Sequence, residues 1–394
     1  MKKLLRSKRK GAAVPLAVVA MMLLLAMGAS LLTLGRNARI YAARTSSVIS
    51  ARAATDAGLT MALFEMNEQL QTKSLDDKSL PEADKLLPYA DSAFSHTVTL
   101  DPNGTYGIES TGTAGGIEKV VGCTLQVHGL FDYAVFADDS MKLRDSCKVD
   151  WYHYDKDDKP LQIGTNSIAK GAITLKSSAY VNGDAVVGVG GDPDVAVSND
   201  GKIEGDILVS AQEHDLPAIA VPQWLQSLPS SGEIKYDTIL FKSAKYSSIY
   251  LQNSKKIIVV GDVDLYVTGD VVLDNSAEVV IKDNASLTLY VSGDLKGKNS
   301  SNFKNLSKNT RKLQIYGLDS CKAMDFENGS EMYGTVYAPN ATVVMHSSNK
   351  VYGAVVARTI DWINSGELYY DASLRDVSVN DGGMRFVVKN WHEK

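Results

Sequence analysis

The densest gathering of groups able to do acid–base chemistry is "VDWYHYDKDDKP", from Val149 to Pro160. Asp150, Asp155, Asp157 and Asp158 offer carboxylates, and Trp151, Tyr152 and Tyr154 offer rings that stack on sugars. Hydrolysis of a glycosidic bond needs two carboxylates converging on it from rigid neighbours. Here Lys156 and Lys159 interrupt the acids, as in a solvated loop. The stretch also lacks the glycine and terminal glutamate of a calcium loop. It therefore stands as a candidate ligand contact through Trp151, Tyr152, Tyr154, Asp155 and Asp157. The six histidines (His96, His128, His153, His214, His346, His392) are scattered, without paired metal-ligand spacing. No nucleophile elbow occurs, and Ser-x-x-Lys recurs at Ser167, Ser301 and Ser347 as chance would have it. The reading is of a protein that is not an enzyme and carries neither cofactor nor metal.

What must position such a surface is a chain of 394 residues, long enough for two or three units. Its formal charge is −5, but Lys2, Lys3, Arg6, Lys8, Arg9 and Lys10 crowd the first ten residues. Setting these six aside leaves 35 basic residues against 46 acidic ones, which excludes a nucleic-acid surface. Three cysteines make no disulfide scaffold; one pair with a free thiol and three free thiols are both open. Cys123 reads as a small buried apolar residue.

From Gly11 to Gly35 no charge interrupts an apolar run that can cross a bilayer of roughly 30 Å. Helix-forming Ala, Leu, Met, Gln and Arg continue to about Leu70, with no proline after Pro15. The basic tip belongs on the cytoplasmic side, with the chain beyond the apolar run outside.

These residues carry a resemblance. Basic residues ending at Lys10-Gly11, followed at once by the apolar helix at Ala12, resemble the class III leader of type IV pilins and pseudopilins. "ARAATDAGLTMAL", with Ala54, Asp56, Ala57, Gly58 and Leu59, resembles the N-terminal region of PilX-like minor pilins, with Asp56 in place of the usual glutamate. The resemblance spans roughly residues 5 to 70. It implies cleavage after Gly11 by a prepilin peptidase, and partners among pilin-like subunits and their assembly machinery. Leu16 stands where most pilins carry a glutamate, a residue that some tip-located minor pseudopilins also lack.

Beyond a polar linker from Gln71 to about Ala93, Thr/Val/Tyr-rich runs broken by Asn103-Gly104 and Gly115-Gly116 predict an antiparallel meander of three strands. From Asp132 to Asp376 the chain repeats. Gly183-Asp184, Gly205-Asp206, Gly261-Asp262, Gly269-Asp270 and Gly293-Asp294 punctuate short Val/Ile/Leu runs, with each glycine expected at positive φ and each aspartate bonding nearby N–H groups. Gly317, Gly334 and Gly353 suggest one glycine-marked register. Such repeats predict a parallel β-helix. A β-sandwich is the structural alternative. The motifs of this block resemble the β-helical head of bacterial PilX-type proteins, whose turns are matched by Ser177-Ser178-Ala179, Asp274-Asn275-Ser276 and Asn364-Ser365-Gly366. That family supplies no catalytic residues.

The expected organisation is a leader over 1–11, a membrane or filament helix over 12–72, a linker and meander over 73–130, a β-helix head over 131–376 and a C-terminal strand or tail over 377–394. The fold class is mainly β behind a long hydrophobic helix. The expected function is a minor pilin-like or pseudopilin-like structural protein. It would be held in a bacterial membrane with its N-terminus cytoplasmic, or assembled in a type IV pilus or type II secretion-type filament. The head would serve adhesion or filament capping, with a surface polysaccharide as one candidate ligand. The competing readings are a bitopic surface protein outside any filament and a surface carbohydrate-active β-helix enzyme. A bactofilin-like polymer is a third, but those are cytoplasmic and lack this anchor.

Overall fold

Ala, Leu and Met dominate Ala13–Gln71, and after Pro15 no proline breaks them, so they form one helix, α1, of 59 residues. At 1.5 Å per residue it is about 90 Å long. The computed structural model describes residues 13–71, 75–76, 79–88, 90–102, 104–153, 159–327, 331–346, 348–375 and 385–393. The leader junction Lys10-Gly11-Ala12, and Tyr154, Asp155, Asp157 and Asp158, lie outside the described residues.

The helix has two halves of different character. From Val14 to Tyr41 its large apolar side chains are exposed, Leu32 by 78 %, and the helix is long and apolar enough to cross a membrane. Farther on, Ala51, Ala54, Leu59, Ala62, Met66 and Leu70 recur at helical spacing and are buried. Each of the larger three contributes about 1.5–3 kcal/mol by that burial. They pack on an antiparallel sheet of β1 (Glu82–Leu86), β2 (Ser92–Leu100), β3 (Tyr106–Ala114), β4 (Ile117–His128) and the C-terminal strand Arg385–Glu393. The expected three strands are thus five: the polar linker supplies β1, and the C-terminal segment closes the other edge. Gly115 and Gly116, both at positive φ, make the tight β3–β4 turn.

The chain divides into two units, one of residues up to Gln126 together with Phe386–Lys394, the other Val127–Arg385. In the second, strands pair in parallel with the strand one coil later. Ile249 sits beside Val271, and Val271 beside Leu295, with Asp270 and Asp294 of adjacent coils 24 residues apart. Each coil contributes one strand to each of three sheets, as in Ser248–Leu251, Lys256–Val259 and Asp262–Val267.

The coils are not stacked in chain order. Val355–Trp362 lies in parallel beside Val135–Leu143, and Glu367–Asp371 beside Lys148–His153. In space, therefore, the coil that succeeds Asp371 is the one that begins at Val135. From there Ile163, Ala185 and Ile207 succeed Val135 outward along the third sheet. After Val209 the chain returns over 210–232 to start the opposite end at Glu233. Asn166 donates to His214 O at 2.7 Å, Tyr337 to Pro217 O at 2.8 Å and Lys245 to Gln226 O at 2.8 Å, so the return segment lies along the coils. The single repeat series expected from Asp132 onward is one stack with its two halves exchanged.

The inward packing continues across the seam. One inward column reads Leu251, Leu273, Gly297, Phe326, Met345, Trp362, Leu143, Leu175, and it crosses the seam between Trp362 and Leu143. A large residue comes after the glycine, as close packing at fixed strand spacing requires. The corner between the first and second sheets repeats a two-residue left-handed turn at Asp145-Ser146, Ser177-Ser178, Asn253-Ser254, Asn275-Ser276, Asn299-Ser300 and Asn364-Ser365. Asn, Asp and Ser tolerate this region and bond locally. Their backbones link coil to coil, Ser254 N–H donating to Asn275 O at 2.9 Å and Ser365 N–H across the seam to Asp145 O at 2.8 Å.

Candidate functional site

The second sheet presents the surface most able to meet a partner, and its outward side chains form columns. In one of them Tyr333, Tyr352 and Tyr369 stand in register with Asp150. Tyr333 and Tyr352 stack at 4.3 Å, and Tyr352 and Tyr369 at 5.1 Å, while Tyr152 meets Tyr352 edge-on at 4.8 Å. A parallel column runs Glu331, Lys350, Glu367, Lys148. The Tyr333 hydroxyl donates to Glu331 Oε1 at 3.0 Å, the Tyr369 hydroxyl to Glu367 Oε2 at 2.9 Å, and Lys350 pairs with Glu367 at 3.0 Å.

Burial and then the Glu367 hydrogen bond push the Tyr369 phenol up to about 12, and burial and then the Glu331 hydrogen bond raise Tyr333. Partial burial pushes the Glu367 carboxyl up, but hydrogen bonds from Lys350 and Tyr369 outweigh it and hold the group below the usual range. Asp150 behaves alike: burial is outweighed by Lys148 (2.7 Å), the Asn182 amide (2.7 Å) and the Trp151 N–H (2.8 Å), and its carboxyl lies low. A carboxylate so held is a poor general acid.

The described aromatic residues of the candidate ligand contact have ring partners of their own. Trp151 lies 5.8 Å from the Tyr370 ring, and the Arg375 guanidinium sits 5.5 Å from its centroid. Tyr152 is engaged with Tyr333 and Tyr352. Both residues are turned to neighbours within the head. Among the described residues no group of three His, Cys, Asp or Glu is placed to hold a metal ion.

The Gly-Asp pairs are brought together as corner ladders, for a reason the spacing does not reveal. Asp184 Oδ1 accepts from Asp206 N–H and Asp270 Oδ1 from Asp294 N–H, both at 2.9 Å, one coil on. Only Gly261 takes positive φ; Gly183, Gly205, Gly269 and Gly293 do not. They are glycines because the previous coil passes so close. A Cβ on Gly205 would overlap Asp184 Oδ1, and one on Gly293 would overlap Asp270 Oδ1. Gly334 and Gly353 do lie side by side, with Gly353 at φ 141°, but Gly317 belongs to another column, beside Val291. In the helix motif Ala54, Gly58 and Leu59 are buried, a Cβ on Gly58 would overlap Ser110 Oγ, Ala57 is half-buried and Asp56 exposed. Cys123, Cys147 and Cys321 are free and buried, and burial pushes Cys123 and Cys321 up to about 11. They remain protonated, unreactive thiols.

Missed from the sequence were Tyr333, Tyr352 and Tyr369. The first two immediately precede the glycines at 334 and 353, so the "YG" pair carried the signal. Also missed was an apolar outward patch on the same sheet, written as "TILF", "KIIVV" and "EVVI", where both strand parities are apolar.

Residues 248–377 match the model of a family described as Domain of unknown function (DUF7305). No curated protein matches the chain. Solved structures with similarity to it include the competence-associated pilin ComZ from Thermus thermophilus, at 11 % identity, covering 88 % of this chain and 97 % of that one, with TM-score 0.23. Another is an ice-binding protein from the Antarctic ascomycete Antarctomyces psychrotrophicus, at 11 % identity over 60 % of this chain and 93 % of that one, TM-score 0.23. A third is the DUF3494 domain of Shewanella frigidimarina ice-binding protein_1, at 11 % identity over 62 % and 95 %, TM-score 0.30.

Proposed function

We propose that the chain is a pilin-like display protein of a bacterial envelope, with α1 as its anchor and the coiled unit as its presented head. The observation that carries this reading is the division of α1: its first half exposes a largely apolar surface suited to lipid or to a bundle of like helices, and its second half is built into a folded sheet. Exposed apolar surface of that extent calls for a partner. The leader junction at Lys10-Gly11-Ala12 supplies the processing step, by a prepilin peptidase, and filament assembly would exchange lipid contact for contact with other pilin-like helices. Presentation rather than turnover is the role of the head, since its best-placed carboxylates are tied into ion pairs. The test is N-terminal sequencing of membrane-extracted protein, with Gly11→Leu beside the native chain. The native product should begin at Ala12, and the variant should stay uncut. A native product that begins at Met1 would leave a bitopic surface protein, and one that begins beyond Ser30 would refute the anchor altogether.

A further inference from the structure

The second sheet changes character along its length. Its first four strands, Thr238–Leu240, Lys256–Val259, Glu278–Ile281 and Asn302–Asn305, form a parallel sheet of their own. The column between the inward residues there reads Ile239, Ile258, Val280, Lys304, of which Ile258 is half-buried and Val280 buried. Beside it Val260 N–H donates to Leu240 O, Lys282 N–H to Val259 O and Leu306 N–H to Ile281 O, which aligns Phe241, Val260, Lys282 and Leu306 as a second outward column. Ile239 is 61 % exposed, Phe241 68 % and Val260 46 %. Outward residues of a solvated sheet are ordinarily polar, and the tyrosine and charge columns farther along the same sheet obey that rule.

We propose that this patch binds an anionic lipid surface. Lys242, Lys282 and Lys304 are exposed among the apolar side chains, and none is held in an ion pair among the described residues. Of the acids at the sheet, Glu278 pairs with Lys256 Nζ at 2.7 Å, Asp237 accepts from the Lys256 backbone N–H at 2.7 Å, and Asp283 is exposed beside Lys282. The patch thus offers free cations and unpaired aliphatic knobs together. Branched aliphatic side chains cannot satisfy sugar hydroxyls, which would lose their water for nothing. A bilayer interface takes up Phe, Ile and Val into its acyl boundary while its phosphates meet lysines. The patch lies in the head, so the proposal holds whether or not the leader is processed.

The test uses the full chain, anchored by its helix in nanodiscs of phosphatidylcholine, and asks whether these float with added vesicles. Vesicles with roughly one-third phosphatidylglycerol should be bound, with affinity falling as salt rises, and vesicles of phosphatidylcholine alone should not. Joint Lys242→Gln, Lys282→Gln and Lys304→Gln should weaken binding at least about tenfold. Ile239→Ser with Phe241→Ser should do the same, while Lys202→Gln, on the far part of the sheet, should leave it unchanged. The lysine variant alters only exposed tips, so an unchanged β-type circular dichroism spectrum is expected and keeps the test valid if the apolar variant misfolds. Equal binding to both vesicle types, or binding indifferent to these substitutions, would overturn the proposal. So would pairing of discs with one another that the same substitutions abolish, since the occupant would then be a second copy.

Discussion

Asp184 and Gly205 illustrate how the head is specified residue by residue. The aspartate must reach an N–H group one coil on, and the glycine must leave it room. Gly205→Ala should cost about 1–3 kcal/mol by overlap. Asp184→Ala should cost about 1–3 kcal/mol by stranding the Asp206 N–H. Together they should cost less than their sum, because removing the carboxylate also removes part of the clash. Denaturant melts of the four proteins check this, and strict additivity would show that the two positions do not meet. The Gly-Asp spacing itself was legible in the sequence. The reason for it was not: a turn that needs positive φ and a backbone that needs clearance both write glycine. The acidic loop after Asp150 illustrates the converse, a cluster that looked chemical while its described members, Asp150, Trp151 and Tyr152, are tied to their own neighbours.

At the scale of elements, α1 was legible to within a few residues, since composition alone drives it. Strand β1 was not, because "EADKL" has no apolar alternation and is held by pairing with β2 and by Lys85 reaching Glu65 and Met61 of the helix. The helix rests on small residues. A Cβ on Gly112 would overlap Ala51 O and Thr55, while Ser110 Oγ donates to Thr55 O at 2.8 Å. Gly112→Val should therefore lift the helix from the sheet, costing about 1–3 kcal/mol and exposing Met66 to faster oxidation. Unchanged stability and oxidation rate would refute this docking. Two raised phenols, one in the tyrosine ladder and one beside Tyr316, make a different prediction. The phenols of Tyr369 and Tyr290 are raised to about 12, from an ordinary value of 10.0, Tyr290 by burial and then by Asp264. Unfolded phenols ionise first, so the stability these groups contribute is complete below pH 10 and is lost as pH rises towards 12. Absorbance at 295 nm should show late-titrating tyrosines that appear only as the fold is lost. If every phenol titrates near 10 with the β-spectrum intact, the ladder is not packed as described.

For the whole molecule, the notable relation is between β4 and the C-terminal strand. Lys119 pairs with Glu393 at 3.3 Å, and Tyr106, opposite Leu125, packs edge-on against Phe386 at 5.4 Å. The two strands therefore run antiparallel, and in chain order residues 127–385 connect them. Within that unit the Tyr370 hydroxyl donates to Phe131 O at 2.6 Å. Replacing 127–385 by a short Gly/Ser linker should leave the helix and five-stranded sheet folded, read by circular dichroism and by Cys123 staying shielded from alkylation. A reactive Cys123 would show that the sheet needs the head. The repeat was legible from its turns, but its exchange of halves was not: every coil obeys the same local pattern, and nothing near Val135 names Val355 as its neighbour.

That exchange also sets an order of events during synthesis. Val135–Leu143 emerges early, yet one of its two neighbouring strands appears only much later; Arg144 and its partner Asp361 are 217 residues apart. At roughly 5–20 residues per second, the early half waits on the order of ten to forty seconds with one strand edge unpaired. An open parallel edge is a template for wrong partners. The coils from Val135 to Val209 must therefore be shielded, or remain uncoiled, until the last third of the chain arrives to close the stack. Slow elongation through 233–362 lengthens that exposure, and release of the chain before Trp362 leaves it permanent.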